Sequence, residues 1–181
     1  MAQNKPRDPF QLLQYLERQG REHTAELPSQ EEVRQAWAGI GFRLGGARYV
    51  APLDEVTEIL TYPDLARVPH TKSWVRGIAN VRGNLLPIMD LSGYLGKRPV
   101  ALTRASRVLV IDHDGVFAGL LVDEVLGMRH FDEEERSGET GKVEEAIAPY
   151  IDGSYKRKDG VWPVFSMRRL AEHPQFLKVA S

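Results

Sequence analysis

Five histidines, at positions 23, 70, 113, 130 and 173, and a few clustered carboxylates are the residues here that could hold a metal or move a proton. The histidines form no H-E-x-x-H arrangement and no i, i+4 pair, so their spacing does not place two ligands on one helix face. Asp112-His113-Asp114 has ligand chemistry, but with Gly115 behind it the same run is hairpin-turn chemistry. Asp90 precedes a stretch that reads as a helical turn, where a carboxylate caps free N–H groups. Asp123 and Glu124 end an apolar run, and solvation or a turn bond explains them as simply as an acid–base pair does. No G-x-x-x-x-G-K-[ST], G-x-S-x-G or G-x-G-x-x-G segment occurs, so neither a phosphate cradle nor a nucleophile elbow is signed. These absences point away from an enzyme and give no catalytic, cofactor-binding or metal-binding residue. Two charged features remain. Lys156-Arg157-Lys158 is a basic run, either a solvated hairpin tip or a nucleic-acid patch. Glu58 and Arg82 lie on separate predicted strands and would fix local geometry if they met in a bidentate pair.

The chain has 181 residues, and Lys plus Arg (24) against Asp plus Glu (25) gives a net charge of −1. So balanced a chain lacks the general pull on phosphates that nucleic-acid binders use, and its length suits one domain with an appendage. Cysteine is absent, which excludes disulfides and thiolate zinc sites and suits a reducing compartment. The first residues show no signal-peptide pattern, and the longest apolar run, Val116 to Val122, is too short to span a bilayer. The expectation is a cytoplasmic protein without direct membrane insertion.

Residues 1–40 read as a helical extension. Asp8 and Pro9 open a first helix with Phe10, Leu12, Leu13 and Leu16 on one side and Gly20 at its end. Ser29 and Glu32 make a capping box for a second, in which Val33, Ala36, Trp37 and Ile40 follow at helical spacing. From Gly41 the period becomes two. Phe42 and Leu44 lead into Gly45-Gly46, with Tyr49 and Ala51 beyond, a hairpin pattern. Val56 to Leu60, Ile78 to Val81, Leu85 to Met89, Arg107 to Ile111, Val116 to Val122, Ile147 to Ile151 and Val161 to Phe165 read as further strands. Pro87 predicts an edge strand or a bulge. The acidic segment Asp132 to Lys142 reads as an exposed loop, and a last helix runs from Ser166 to Glu172. Many short strands and few helices indicate a mainly β fold, a barrel or sandwich.

The stretch Gly77-Ile78-Ala79-Asn80-Val81-Arg82-Gly83-Asn84-Leu85-Leu86-Pro87-Ile88-Met89-Asp90-Leu91 closely resembles the hallmark of the CheW family of chemosensory coupling proteins. Phe42 to Gly45, Tyr49 and Val56 to Ile59 fit that family's first strands, and Gly119-Leu120-Leu121-Val122-Asp123-Glu124-Val125 fits a later one. The resemblance covers about residues 40 to 178. With Trp37 to Arg43 and Val125 to Met128, the chain further resembles the branch of the family that serves type IV pili and twitching motility.

The resemblance implies a CheW-like domain over 41–178, built as two packed five-stranded SH3-like β-barrels with a short C-terminal helix, and leaves the N-terminal helical extension outside the common pattern. It implies a non-enzymatic scaffold without cofactors. The partners would be the cytoplasmic tip of a methyl-accepting chemoreceptor and the regulatory domain of a CheA-type histidine kinase, in arrays at the membrane. By matching position, Val56, Glu58, Arg82 and Met128 would form or support the receptor-binding groove, and family members tend to pair the residues matching Glu58 and Arg82. Gly77, Gly83, Pro87, Asp90, Gly119 and Asp123 would be structural. The alternatives are an adaptor of a flagellar or other chemosensory pathway, an SH3-like nucleic-acid binder using Lys156 to Lys158, and an enzyme using Asp90 or Asp123.

Overall fold

The computed structural model describes residues 36–179; the first predicted helix and the start of the second lie outside that range. Eleven strands form two sheets, of six and five strands. The six-stranded sheet takes β1 (Trp37–Leu44), β2 (Ala47–Pro52), β8 (Glu124–Phe131), β9 (Arg136–Ser137), β10 (Ile151–Arg157) and β11 (Gly160–Phe165), in the order β8-β1-β2-β11-β10-β9. The five-stranded sheet takes the chain between them: β3 (Glu58–Thr61), β4 (Val75–Val81), β5 (Asn84–Asp90), β6 (Arg107–His113) and β7 (Val116–Val122), in the order β3-β6-β7-β5-β4. The chain enters one sheet, builds the other, and returns. The fold is mainly β, as expected, and the sixth strand of the larger sheet is the two-residue β9.

The six-stranded sheet curls onto itself. β8 and β10 stand four places apart in its order, about 19 Å in a flat sheet at ~4.8 Å per strand. Yet Phe131 of β8 stacks on Tyr155 of β10 with ring centroids 4.7 Å apart, and Trp37 stacks on the same Tyr155 at 4.9 Å. Val50, Phe131, Tyr155, Trp162 and Val164 are the buried core of this barrel. A larger core joins the other face of β1 and β2 (Ile40, Phe42, Leu44, Tyr49) to β5, β6 and β7 (Leu86, Ile88, Val108, Leu120) and to the C-terminal helices (Leu170, Phe176). The six-stranded barrel therefore keeps a core of its own, and the larger core fastens its outer face to the five-stranded barrel.

The second predicted helix does not reach Ile40, because β1 begins at Trp37. Ile40, Phe42 and Leu44 alternate into the large core, while Gly39 and Gly41 keep the opposite face low. A Cβ on Gly39 would stand 2.6 Å from the Ala51 carbonyl and 2.8 Å from the Trp37 ring. Strand period and aromatic cover thus override the helical spacing of Trp37 and Ile40. Ile147 to Ile151 differs as well: Ala148–Tyr150 is a 3-10 turn and the strand begins at Ile151. The Asp132 to Lys142 segment is mostly exposed, with a 3-10 turn at Glu133–Glu135 closed by a capping box between Asp132 and Glu135. The last predicted helix is present as Met167–Glu172, with the Ser166 hydroxyl accepting from the Arg169 N–H at 3.2 Å, and a short helix Pro174–Leu177 follows.

Pro87 was expected at an edge or bulge, but β5 lies between β7 and β4. Two features accommodate it. The parallel ladder to β7 starts only at Ile88, and β4 carries a register shift between Val75 and Gly77, facing Met89 and Ile88. The missing N–H therefore falls where β7 has not yet begun to pair.

Candidate functional site

The register of the five-stranded sheet gives it two distinct ends. Glu58, paired with Val110, lies at one end with the β4–β5 turn and the β6–β7 turn; Thr61, Arg107, Val122, Asp90 and Val75 lie at the other. The terminal strands of the sheet are β3 and β4. At the first end they are joined by charge: the Arg82 guanidinium donates to the Glu58 carboxylate at 2.7 Å and again at 3.4 Å through its second amino group. The two residues placed on separate predicted strands therefore meet, in the bidentate form.

The turn that carries Arg82 explains why it can reach. Arg82 and Gly83 have φ of 51° and 85°, the pair of left-handed residues that a two-residue hairpin turn demands, and Gly83 supplies the second without a side chain. The Asn80 side chain accepts from the Gly83 N–H at 2.9 Å and holds the turn. Gly77 closes the same seam from further along β4. Ala66 and Ile78 exchange two backbone hydrogen bonds of 2.9 Å, which brings the Ala66 carbonyl within 2.5 Å of where a Gly77 Cβ would be. Gly119 serves the interior: its Cβ would stand 2.6 Å from both Ile88 and Val108.

A pocket of ≈ 250 Å³ opens beside the ion pair, lined by Thr57, Glu58, Val81, Arg82, Asn84, Leu86, Val110, Asp112 and Phe117. Leu85, in the same hairpin, is 69% exposed and Phe117 is 37% exposed, so apolar surface flanks a fixed pair of opposite charges. Sequence reasoning missed Leu85 and Phe117. The signal was present in the strand period, which sets Leu85 apart from the buried Leu86 and Phe117 apart from the buried Ala118; the parallel register of β5 and β7 then puts Phe117 on the pocket side with Leu86, and Leu85 on the other face. Val56 stands one turn earlier, half-buried against the large core. Met128 does not line this pocket: it pairs with Ile40 on the edge strand β8, on the face of the six-stranded sheet that bears the shared core, and is 53% exposed.

The remaining predicted residues are structural in their contacts. Asp90 is buried, with one oxygen accepting from the Gly93 N–H at 2.9 Å and the other from the Val100 N–H at 3.0 Å, and Arg76 lies 3.7 Å away. Both its oxygens are occupied, as a cap requires. Asp123 accepts from the Gly45 N–H at 2.7 Å and so ties the end of β7 to the β1–β2 turn, while Glu124 pairs with Arg43 at 3.3 Å. The two carboxylates thus serve separate partners. His113 contacts Glu172 at 3.2 Å and Asp114 at 3.5 Å on the surface, and Asp114-Gly115 forms the predicted turn with φ of 48° and 81°. Lys156 pairs with Glu139 and Arg157 with Glu135, so two of the three charges in the basic run are already neutralised.

The CheW-like domain profile matches residues 38–175. The chain belongs to the CheW-like domain family. It is 49% identical to Protein PilI of Pseudomonas aeruginosa over 172 residues, covering 95% of this chain and 96% of that protein. It is 30% identical to Chemotaxis protein CheW of Helicobacter pylori over 64% of this chain and 68% of the other. The crystal structure of scaffolding protein TtCheW from Thermoanaerobacter tengcongensis superposes with a TM-score of 0.66 at 24% identity, over 77% of this chain and 94% of that one, a likeness of fold. The strands of this CheW-like domain begin at Trp37, ahead of the Gly41 boundary expected from the sequence. No helix among the described residues is long and apolar enough to cross a membrane.

Proposed function

We propose that this CheW-like protein is a non-enzymatic scaffold that couples the cytoplasmic tip of a methyl-accepting chemoreceptor to the regulatory domain of a CheA-type histidine kinase, in the system that controls type IV pili and twitching motility. The observation that carries the reading is the Glu58–Arg82 pair, held at the mouth of the five-stranded barrel beside exposed apolar side chains, with Arg82 inside the segment that bears the family hallmark. The likeness to PilI along nearly the whole of both chains supports the pilus pathway over a flagellar one.

The mechanism is one of assembly. A helical receptor tip would lay its apolar face over Phe117 at the pocket mouth and along Val56 and Met128, while Arg82 and Glu58 fix its register by charge. The long Arg82 side chain keeps its place because Glu58 accepts both its amino groups, so less freedom is lost when a partner binds. Contacts of this modest size give individually weak binding, and an array multiplies it. Recruitment through the receptor would bring the scaffold to membrane-associated arrays.

The test is reconstitution of the chain with the receptor tip and the kinase. Arg82→Glu is expected to abolish receptor-dependent kinase activation, and wild-type activation by that variant would refute the assignment. Copurification with the receptor tip and the kinase regulatory domain, with and without residues 1–39, tests whether the extension takes part.

A further inference from the structure

The end of the five-stranded barrel opposite the Glu58–Arg82 pair carries a charge pattern that the receptor-facing site does not use. Two connections, residues 62–74 and 95–106, meet there with the start of β6. They bring Arg67, Lys72, Arg98 and Arg104, all exposed, to the same end as the half-buried Arg107. None of the five forms an ion pair among the described residues, whereas Arg76 and Lys97 beside them are matched by Asp90 and Glu144. Asp64 is the single acid on the two connections. Arg107 is held in place by hydrogen bonds of 2.8 Å to the Arg104 and Ser106 carbonyls. Leu102, 50% exposed, projects from the middle of the 95–106 connection.

We propose that this basic end is a docking surface for an acidic segment of a partner protein, separate from the face assigned to the receptor. Four of the five cations are arginines, whose planar forks take carboxylates in pairs, and Leu102 offers an apolar contact that a bare polyanion cannot match. A nucleic acid fits less well. The chain as a whole is at −1, so a phosphate backbone that spread beyond this end would find no general positive field to hold it. An anionic bilayer fits less well too, because Leu102 stands as the one large exposed apolar side chain on these two connections, too little for insertion.

The experiment uses the full chain and three probes: a fluorescein-labelled glutamate-rich peptide with a central leucine, a single-stranded oligothymidylate, and vesicles of phosphatidylglycerol. Expected is binding of the peptide that falls steeply with salt and weakens about tenfold or more in the double variant Arg98→Glu/Arg104→Glu, with Lys158→Glu on the other barrel unchanged. Both substituted side chains are exposed, so the thermal unfolding of the double variant should match the parent. Absent peptide binding, equal binding by the double variant, or tighter binding of the oligonucleotide or the vesicles than of the peptide would overturn the proposal.

Discussion

The two barrels close their seams by different chemistry. In the six-stranded sheet, strands four places apart are brought together by the buried rings of Phe131 and Tyr155, with the half-buried Trp37 stacked on Tyr155. In the five-stranded sheet, one exposed ion pair links β3 to the β4–β5 turn, and two backbone bonds past a glycine link β4 to the connection that follows β3. A buried aromatic side chain contributes about 2–3 kcal/mol by leaving water, and each ring pair about 0.5–1.5 more, whereas an exposed ion pair contributes about 0–1. The first seam holds the fold together. The second costs little to open or re-pair, and that is the property a surface needs if it is to exchange an internal partner for an external one.

If that contrast is right, truncating a ring at the first seam has the largest effect. Phe131→Ala should lower unfolding stability by about 3–5 kcal/mol, read by urea denaturation, since it removes a fully buried ring that touches Trp37, Tyr155 and Trp162. At the second seam the backbone should matter more than the charges. Gly77→Ala forces a Cβ against the Ala66 carbonyl at φ of 144° and should cost about 2 kcal/mol or more. Gly83→Ala, at φ of 85° with open space around it, should cost about 1. A larger loss at Gly83 than at Gly77 would mean that the turn, not the Ala66 bridge, closes the barrel.

The features legible in the sequence are those whose cause is local. Gly45-Gly46 and Asp114-Gly115 make their turns because left-handed φ values select such residues, and Asp90 and Ser166 cap because free N–H groups lie just beyond them. Trp37 to Ile40 was misread because helical spacing runs straight into a strand. The sign of the strand was Gly39 and Gly41, whose smallness makes sense only once Trp37 and Trp162 lie over them. Pro87 was misplaced for a related reason: whether a strand's N–H faces an empty side depends on where its neighbour starts. The meeting of Glu58 and Arg82 could be posed from the sequence and not decided, since β6, β7 and β5 separate their strands. The basic end could not be posed at all, because the connections that carry Arg67 and Arg104 come to one end only through the sheet order.

Removing the charges at the second seam should separate function from stability. Arg82→Ala is expected to change unfolding stability by less than about 1 kcal/mol, because the side chain is largely exposed. Receptor-dependent kinase activation should nevertheless be lost. The swap Glu58→Arg with Arg82→Glu should recover stability relative to either single change if the pair interacts, and activation only in so far as the partner reads the pair and not its polarity. Equal loss of stability in Arg82→Ala and Phe131→Ala would erase the contrast between the seams.

The smallest effect concerns pH and lies within the rings. Burial pushes the Tyr155 hydroxyl above the ordinary tyrosine range, with Glu133 adding to the rise, and burial followed by the hydrogen bond shared with Tyr150 does the same more strongly for Tyr94. A raised value in the folded state means that the native protein keeps a proton the unfolded chain has released. The stability from this source is therefore complete below about pH 10 and is lost as pH climbs from there toward the folded values. Tyr94→Phe should flatten the alkaline fall in unfolding stability more than Tyr155→Phe, since the rise at Tyr94 is the greater. Tyr155→Phe keeps the stacked ring and should leave stability near neutral pH almost unchanged, which separates the ring's part in closing the six-stranded seam from that of its hydroxyl.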